Sequence, residues 1–307
     1  MRSDITEELK SVTAAGNIKT FEDMDKHTTF RAGGCADVFV TPQSITEAAD
    51  IVRLLLAQNA EYTVIGNGSN LLVSDNGYRG CIVCMGNETG NINVRDNTIT
   101  AGAGALLSRI ANTAYEKGLA GLEFASGIPG TLGGAVVMNA GAYGKEMKDV
   151  IESVNLLDAK TGGTVIFSGE DMKFDYRTSV VKEHPYIVLE ATLKLEEGNR
   201  EDIKEQMDEL AKRRKEKQPL EFPSAGSTFK RPEGYFAGKL IEDAGLKGCR
   251  IGGACVSEKH SGFVVNKGGA TASDIIKLIK KIRMTVNEKF GVMLEPEVVI
   301  LGEDIDK

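Results

Sequence analysis

The chain has 307 residues, with 37 Lys and Arg against 44 Asp and Glu for a net charge of -7, together with 35 glycines, no tryptophan and 5 cysteines. An acidic balance whose basic residues gather mainly in the run 212–217 excludes nucleic acid as the main partner, although a few arginines and backbone amides still suffice for phosphate. Apolar and charged contents of 41% and 26% exclude a disordered chain, and the absence of a G-X-Y period excludes collagen.

The length suggests about two domains. Residues 36–40 read as a strand stopped by Pro42, and Ser44 with Glu47 has capping-box spacing ahead of a helix carrying Ile51, Leu54 and Leu55. Strands follow at 62–65, 82–85 and 98–101, and a helix at 105–117 ends at Gly118. The pattern then turns antiparallel, with strands at 154–157, 164–167 and 187–195 and a turn at 161–163. It breaks at 196–200. A charged helix at 201–217 has acids early and bases late, as the macrodipole favours, and the domain boundary is placed at its start. Beyond it come a helix at 239–244 and strands at 254–256 and 262–266. A long helix capped near Ser273 carries Ile275, Ile279, Ile282, Val286 and Phe290 on one face and stops at Gly291, and a last strand spans 298–301. The polar N-terminus lacks the apolar core of a signal peptide, and nowhere do 18 apolar residues run together, so a cytoplasmic chain with no membrane partner is expected.

Cys35, Cys81, Cys84, Cys249 and Cys255 are odd in number, which argues against a disulfide framework. Cys81 and Cys84 have C-x-x-C spacing in an apolar run with no second ligand pair, and the chain has only 3 histidines. Both are expected to be buried strand cysteines, and no metal is expected. The glycines are uneven, 16 of the 35 lying between Gly66 and Gly144. The run from Gly66 to Leu72 carries glycines among small polar residues, which lets backbone amides approach a phosphate or pyrophosphate. The run from Ser126 to Gly134, continuing to Gly144, leaves room for something flat and large. Ordinary surface loops would have the same composition. Neither run fits G-x-G-x-x-G, and the P-loop and G-x-S-x-G patterns are missing from the chain.

The runs Gly66-Asn67-Gly68-Ser69-Asn70-Leu71-Leu72, Ser126-Gly127-Ile128-Pro129-Gly130-Thr131-Leu132-Gly133-Gly134 and Asn139-Ala140-Gly141-Ala142-Tyr143-Gly144 carry a family resemblance. With Thr28 to Gly34, Tyr176 to Ser179, Gly226 to Pro232 and Leu294 to Val298, the chain resembles the UDP-N-acetylenolpyruvoylglucosamine reductase (UDP-N-acetylmuramate dehydrogenase) family over nearly its whole length. It is similar to the shorter subtype, without the extra substrate-covering loop.

The resemblance implies an α+β fold: an FAD-binding domain of the vanillyl-alcohol-oxidase type over 1–200, in two α/β subdomains split near 85, and an α+β substrate-binding domain over 201–307. The last strand, about 294–302, would return toward the active site. It implies NADPH-dependent reduction of UDP-N-acetylglucosamine enolpyruvate through non-covalent FAD in peptidoglycan precursor synthesis. Gly66, Asn67, Gly68, Ser69, Asn70 and Leu71 would hold FAD in the first loop. Ser126, Ile128, Pro129, Gly130, Thr131, Gly133 and Gly134 would do so in the second. Ser227 would be the proton donor, with Arg177 and Glu297 polarising the substrate; Glu295, two residues from Glu297, would share its face on a strand. Tyr143, Lys217, Lys230 and Arg231 are expected on the substrate, whereas most of the 212–217 run reads as a solvated helix end. Cys255 stands where the family commonly has glutamine, and Thr178 where an acidic residue is frequent. Two other functions fit the same fold: an FAD-dependent sugar or lactone oxidoreductase, which often tethers flavin to histidine although the only histidine near a candidate FAD loop, His27, reads as a surface residue, and a non-catalytic nucleotide-sugar binding protein.

Overall fold

The computed structural model describes residues 2–302. The chain forms two compact units. One comprises the segment ending at Thr20 with Val38–Asn67 and Gly80–Arg214; the other comprises Phe21–Asp37, Gly68–Arg79 and the segment beginning at Lys215.

In the first unit, Ser44 opens the helix Ile45–Ala57 by accepting from the Glu47 amide. The reciprocal half of the expected capping box is not made, because the Glu47 carboxylate accepts from the Gln43 amide at 3.2 Å and from the Thr13 hydroxyl. Ala48, Ile51, Val52 and Leu55 bury one face of this helix, and the strand Tyr62–Ile65 pairs in parallel with residues 81–84. A five-stranded antiparallel sheet follows in the order Thr164–Ser168, Ile151–Asp158, Tyr186–Lys194, Thr98–Gly102, Ile92–Arg95. The edge strand Ile92–Arg95 was not expected from the sequence; its burial alternates, with Ile92 and Val94 half-buried against the core and Asn93 and Arg95 exposed. The helices Leu107–Glu116 and Leu132–Val137 pack on this sheet around Ile99, Ile110, Leu132, Val154 and Leu193.

In the second unit, the short antiparallel strands Arg250–Ile251, Ala254–Val256 and Val264–Asn266 carry the helix Ala272–Phe290. Its cap is Thr271, two residues before the expected one. The Thr271 hydroxyl accepts from the Asp274 amide at 3.1 Å, and the Asp274 carboxylate accepts from the Thr271 amide at 3.2 Å. Ile275, Ile279, Ile282 and Val286 are fully buried, but Phe290 is 39% exposed, so the apolar face ends one turn earlier than its spacing suggests. Gly291, in the left-handed conformation at φ 68°, stops the helix as expected. The last strand, Val299–Leu301, pairs in parallel with Leu71–Val73, the strand that leaves the first glycine loop.

Candidate active site

The two glycine loops meet within the first unit. The Asn67 side-chain amide donates to the Pro129 carbonyl at 2.7 Å, and a Cβ on Gly66 would collide with Thr131 Oγ1. Glycine at 66 is therefore what lets one loop lie against the other. Gly133 is also sterically required, since its Cβ would sit 2.9 Å from that of Ala103. Gly134 is not: its φ is ordinary, it is exposed, and an added Cβ would meet only Thr131 Oγ1, at 3.8 Å. Bare backbone that the protein's own packing does not require is a cradle that a side chain would fill. Backbone amides and the small residues Ser126, Gly127, Gly130 and Thr131 would suit a flat, anionic group such as FAD.

Beyond Asn67 the loop continues in the second unit. Gly68 has φ 59°, and a Cβ there would collide with the His27 carbonyl. Thr29 donates its amide to the Gly68 carbonyl at 3.2 Å, while its hydroxyl is buried without a partner among the described residues and can serve a ligand. Ser69 belongs to the turn that follows. Asn70 is turned to other contacts, since its side-chain amide donates to the Glu297 carbonyl at 3.0 Å and its own carbonyl accepts from Val299. Leu71 is 6% exposed in the strand that pairs with Val299. In this structure Asn70 and Leu71 hold the segment that carries Glu297. His27 pairs with Glu22 at 2.8 Å.

Ser227 and Glu297 are brought together by backbone pairing. Thr228 is fully buried; its amide donates to Gly262, its hydroxyl accepts from Val264, and its carbonyl accepts from the Glu297 amide, each at 2.9 Å. Lys230 donates to the Glu295 carbonyl at 2.9 Å, and Phe229 bridges Pro296. Ser227 stands exposed just before this anchor, after Gly226 at φ 77°. The two glutamates separate here: the Lys230 ammonium forms an ion pair with Glu295, whose side chain is 67% exposed, leaving Glu297 as the more sheltered of the two.

Arg177 belongs to the first unit, in a four-residue turn closed by Asp175 and Thr178, whose amides each donate to the other's carbonyl at 3.2 Å. Its φ is 56°, and its guanidinium lies 5.1 Å from the Tyr176 ring centre. Tyr143 also has positive φ, at 56°, and its hydroxyl donates to the Leu210 carbonyl at 3.2 Å. Arg214 was not singled out by the sequence. It follows Ile203, Met207 and Leu210 on the buried stripe of the helix Arg200–Lys217, and that spacing was the available signal. Its side chain lies across Gly127, where a Cβ would be 3.2 Å from Arg214 Cδ. Burial draws its pKa down from the usual guanidinium value, partly offset by Tyr143, and no carboxylate pairs with it among the described residues. Arg213 is the solvated case, paired with Glu209 one turn away.

Lys217 is exposed at the end of the same helix. Arg231 is exposed, with its guanidinium 4.0 Å from the Phe236 ring centre and its Nε donating to the Tyr235 carbonyl at 3.3 Å. Cys81 is buried and Cys84 partly so, and burial pushes their thiols up to about 12 and about 11. Cys255 is fully buried with Phe263 and Val265, on the face of its strand opposite Ala254 and Val256. No group of three metal-ligating side chains forms among the described residues, and no helix there is long and apolar enough to cross a membrane.

Comparison with known proteins accounts for both halves of the chain. Residues 36–168 match a family model described as an FAD binding domain, and residues 218–301 match the UDP-N-acetylenolpyruvoylglucosamine reductase C-terminal domain. The chain is 54% identical over 303 residues to the UDP-N-acetylenolpyruvoylglucosamine reductase of Caldanaerobacter subterraneus subsp. tengcongensis, covering 99% of this chain and 100% of that one. It is 51% identical to the Clostridioides difficile reductase, covering 98% and 99%. The crystal structure of the reductase from Thermus caldophilus superposes with a TM-score of 0.79 at 36% identity, over 92% of this chain and 98% of that one. A glucose dehydrogenase, Phl p 4.0202, shares the fold alone, at 16% identity and a TM-score of 0.50 over 64% of this chain and 44% of that one. The fold is thus the α+β class expected, with an FAD-binding domain and a distinct C-terminal domain, and the chain is a flavoprotein oxidoreductase. Within that class, the chain belongs to the UDP-N-acetylenolpyruvoylglucosamine reductase family.

Proposed function

We propose that the protein reduces UDP-N-acetylglucosamine enolpyruvate to UDP-N-acetylmuramate with NADPH and non-covalent FAD, in the cytoplasm, as a step of peptidoglycan precursor synthesis. The observation that carries this reading is the 54% identity to the Caldanaerobacter reductase over 99% of this chain and 100% of that one. The contact between the two glycine loops and the backbone pairing of Thr228, next to Ser227, with Glu297 support it from within the structure.

Reducing an enol ether requires a hydride at one vinyl carbon, a proton at the other, and stabilisation of the charge that develops between them. FAD, when bound, supplies the hydride. The two loops, from Gly66 to Leu71 and from Ser126 to Gly134, bind and orient it, with Asn70 and Leu71 acting chiefly on the Glu297 segment. Ser227 donates the proton, while Arg177 and Glu297 polarise the substrate carboxylate and stabilise the enolate-like charge. A serine hydroxyl is a weak acid, so the groups around the alkoxide must favour it. The Lys230 ammonium, close by in sequence, is paired with Glu295. Lys217, Lys230, Arg231 and Tyr143 are assigned to the nucleotide-sugar. The division into an FAD-binding domain over 1–200 and a substrate domain over 201–307 is part of the same proposal, supported by the family segments 36–168 and 218–301.

Stopped-flow separation of the half-reactions tests the assignment. In Ser227→Ala, NADPH still bleaches the flavin, but reoxidation by the enolpyruvyl substrate slows by about 10²- to 10⁴-fold, the usual worth of a positioned proton donor. Reoxidation at the wild-type rate would remove Ser227 from the mechanism. A protein that cannot take up FAD would remove the flavin itself.

A further inference from the structure

The turn that displays Arg177 is held at both ends by one segment of the second glycine-rich run. Asn139 is fully buried, with φ 41°, and its side-chain amide donates to the Asp175 carbonyl at 3.0 Å and to Glu146 Oε2 at 2.9 Å. Its side-chain oxygen accepts from the Lys148 amide at 3.0 Å. At the other end of the turn, the Ser179 hydroxyl, 1% exposed, donates to the Val137 carbonyl at 2.9 Å. Residues 137 and 139 thus grip residues 179 and 175, and Arg177 sits between them in a left-handed conformation that an arginine does not adopt unaided. Backbone strain of this kind persists only where the surroundings over-determine it.

We infer that Asn139, with Ser179 as the second contact, is a positioning residue for Arg177: it fixes the backbone from which the guanidinium reaches the substrate carboxylate. The inference rests on the role proposed for Arg177. Each polar atom of the Asn139 side chain has a defined partner, so aspartate is not a conservative replacement. It would set a carboxylate against both Glu146 and the Asp175 carbonyl, with no donor for either. The sequence placed Asn139 in the Asn-Ala-Gly-Ala-Tyr-Gly run without a role of its own. Its partner at 175 is 36 residues away, and no local pattern announces it.

A double-mutant cycle on the FAD-loaded protein tests this, read as the rate of flavin reoxidation by the enolpyruvyl substrate. Asn139→Ala slows reoxidation by about tenfold or more, because small displacements of a positioning group cost that much, with a smaller change in substrate KM. Ser179→Ala, which removes one hydrogen bond and keeps the neighbouring packing, gives a weaker effect of the same sign and carries the test if Asn139→Ala does not fold. In an Arg177→Ala background both effects vanish, since the group they position is gone. Equal slowing in both backgrounds, or wild-type reoxidation in both single variants while Arg177→Ala is impaired, overturns the inference. Wild-type reoxidation in Arg177→Ala itself overturns instead the role proposed for Arg177, so the two failures are distinguishable.

Discussion

An arginine in the left-handed backbone region costs about 1–2 kcal/mol relative to an ordinary conformation. At position 177, with φ 56°, that cost is met by the contacts around the turn. Arg177→Gly should therefore leave stability in urea unchanged or raise it by up to about 1 kcal/mol, while reoxidation by substrate is lost; a large loss of stability would show that the arginine is there for packing. The cysteines give a second prediction. With thiols pushed up to about 12 and about 11, Cys81 and Cys84 are almost wholly protonated near neutral pH, and only thiolates react. Alkylation followed by mass spectrometry should leave both unlabelled in the native protein and label both in denaturant. Rapid native labelling of either would contradict burial as the cause. Their strand setting was legible because the residues between and beside them are apolar. Glu297 was chosen over Glu295 from its place in the family motif alone, because alternation along a strand would put both on one face; in the structure Lys230 pairs with Glu295.

The helix Ala272–Phe290 shows how a distant segment fixes an element. Asp75 accepts from the amides of Ala272 and Ser273 at 2.8 and 2.9 Å, satisfying donors of the first turn that the helix itself cannot satisfy. Burial acts to raise the Asp75 pKa, but the hydrogen bonds from Ser273 and the two amides outweigh it, and the net direction is down. Its contribution to stability is therefore complete above the unfolded carboxylate pKa and is lost as pH falls through the lower folded value. Asp75→Ala should cost about 1 kcal/mol near neutral pH, and the gap from wild type should narrow as urea melts are repeated toward about pH 3. A gap independent of pH would mean that the carboxylate is not the source. The sequence placed the cap of this helix near Ser273, within two residues of Thr271, without recognising the capping box with Asp274. The Asp75 contact was not readable from local spacing, because 197 residues separate its partners. The same holds for the pairing of Leu71–Val73 with Val299–Leu301, which brings the chain's last strand to the exit of the first glycine loop. Parallel pairing across such a distance leaves no mark in either short run.

Across the molecule, the excess of glycine between Gly66 and Gly144 divides into positions with separate causes. Gly66 and Gly133 are required by close packing and Gly68 by its backbone conformation as well, whereas Gly134 is left bare by the protein's own structure. Composition shows the concentration and cannot divide it, since the division depends on which atoms lie opposite each Cα. The compact units also draw on Phe21–Asp37 and Gly68–Arg79 from within the N-terminal half, segments that no shift in composition marks. What was legible at this scale came from motif order along the whole chain, which carried the family and with it the FAD and the three polar groups assigned to the reaction. The most direct test of the proposed reaction is an anaerobic half-reaction with the wild-type protein. The FAD-loaded enzyme is bleached with one equivalent of NADPH and then mixed with UDP-N-acetylglucosamine enolpyruvate. Stoichiometric return of the oxidised flavin spectrum, with formation of UDP-N-acetylmuramate, is the expected result. Flavin that stays reduced until oxygen is admitted would contradict it.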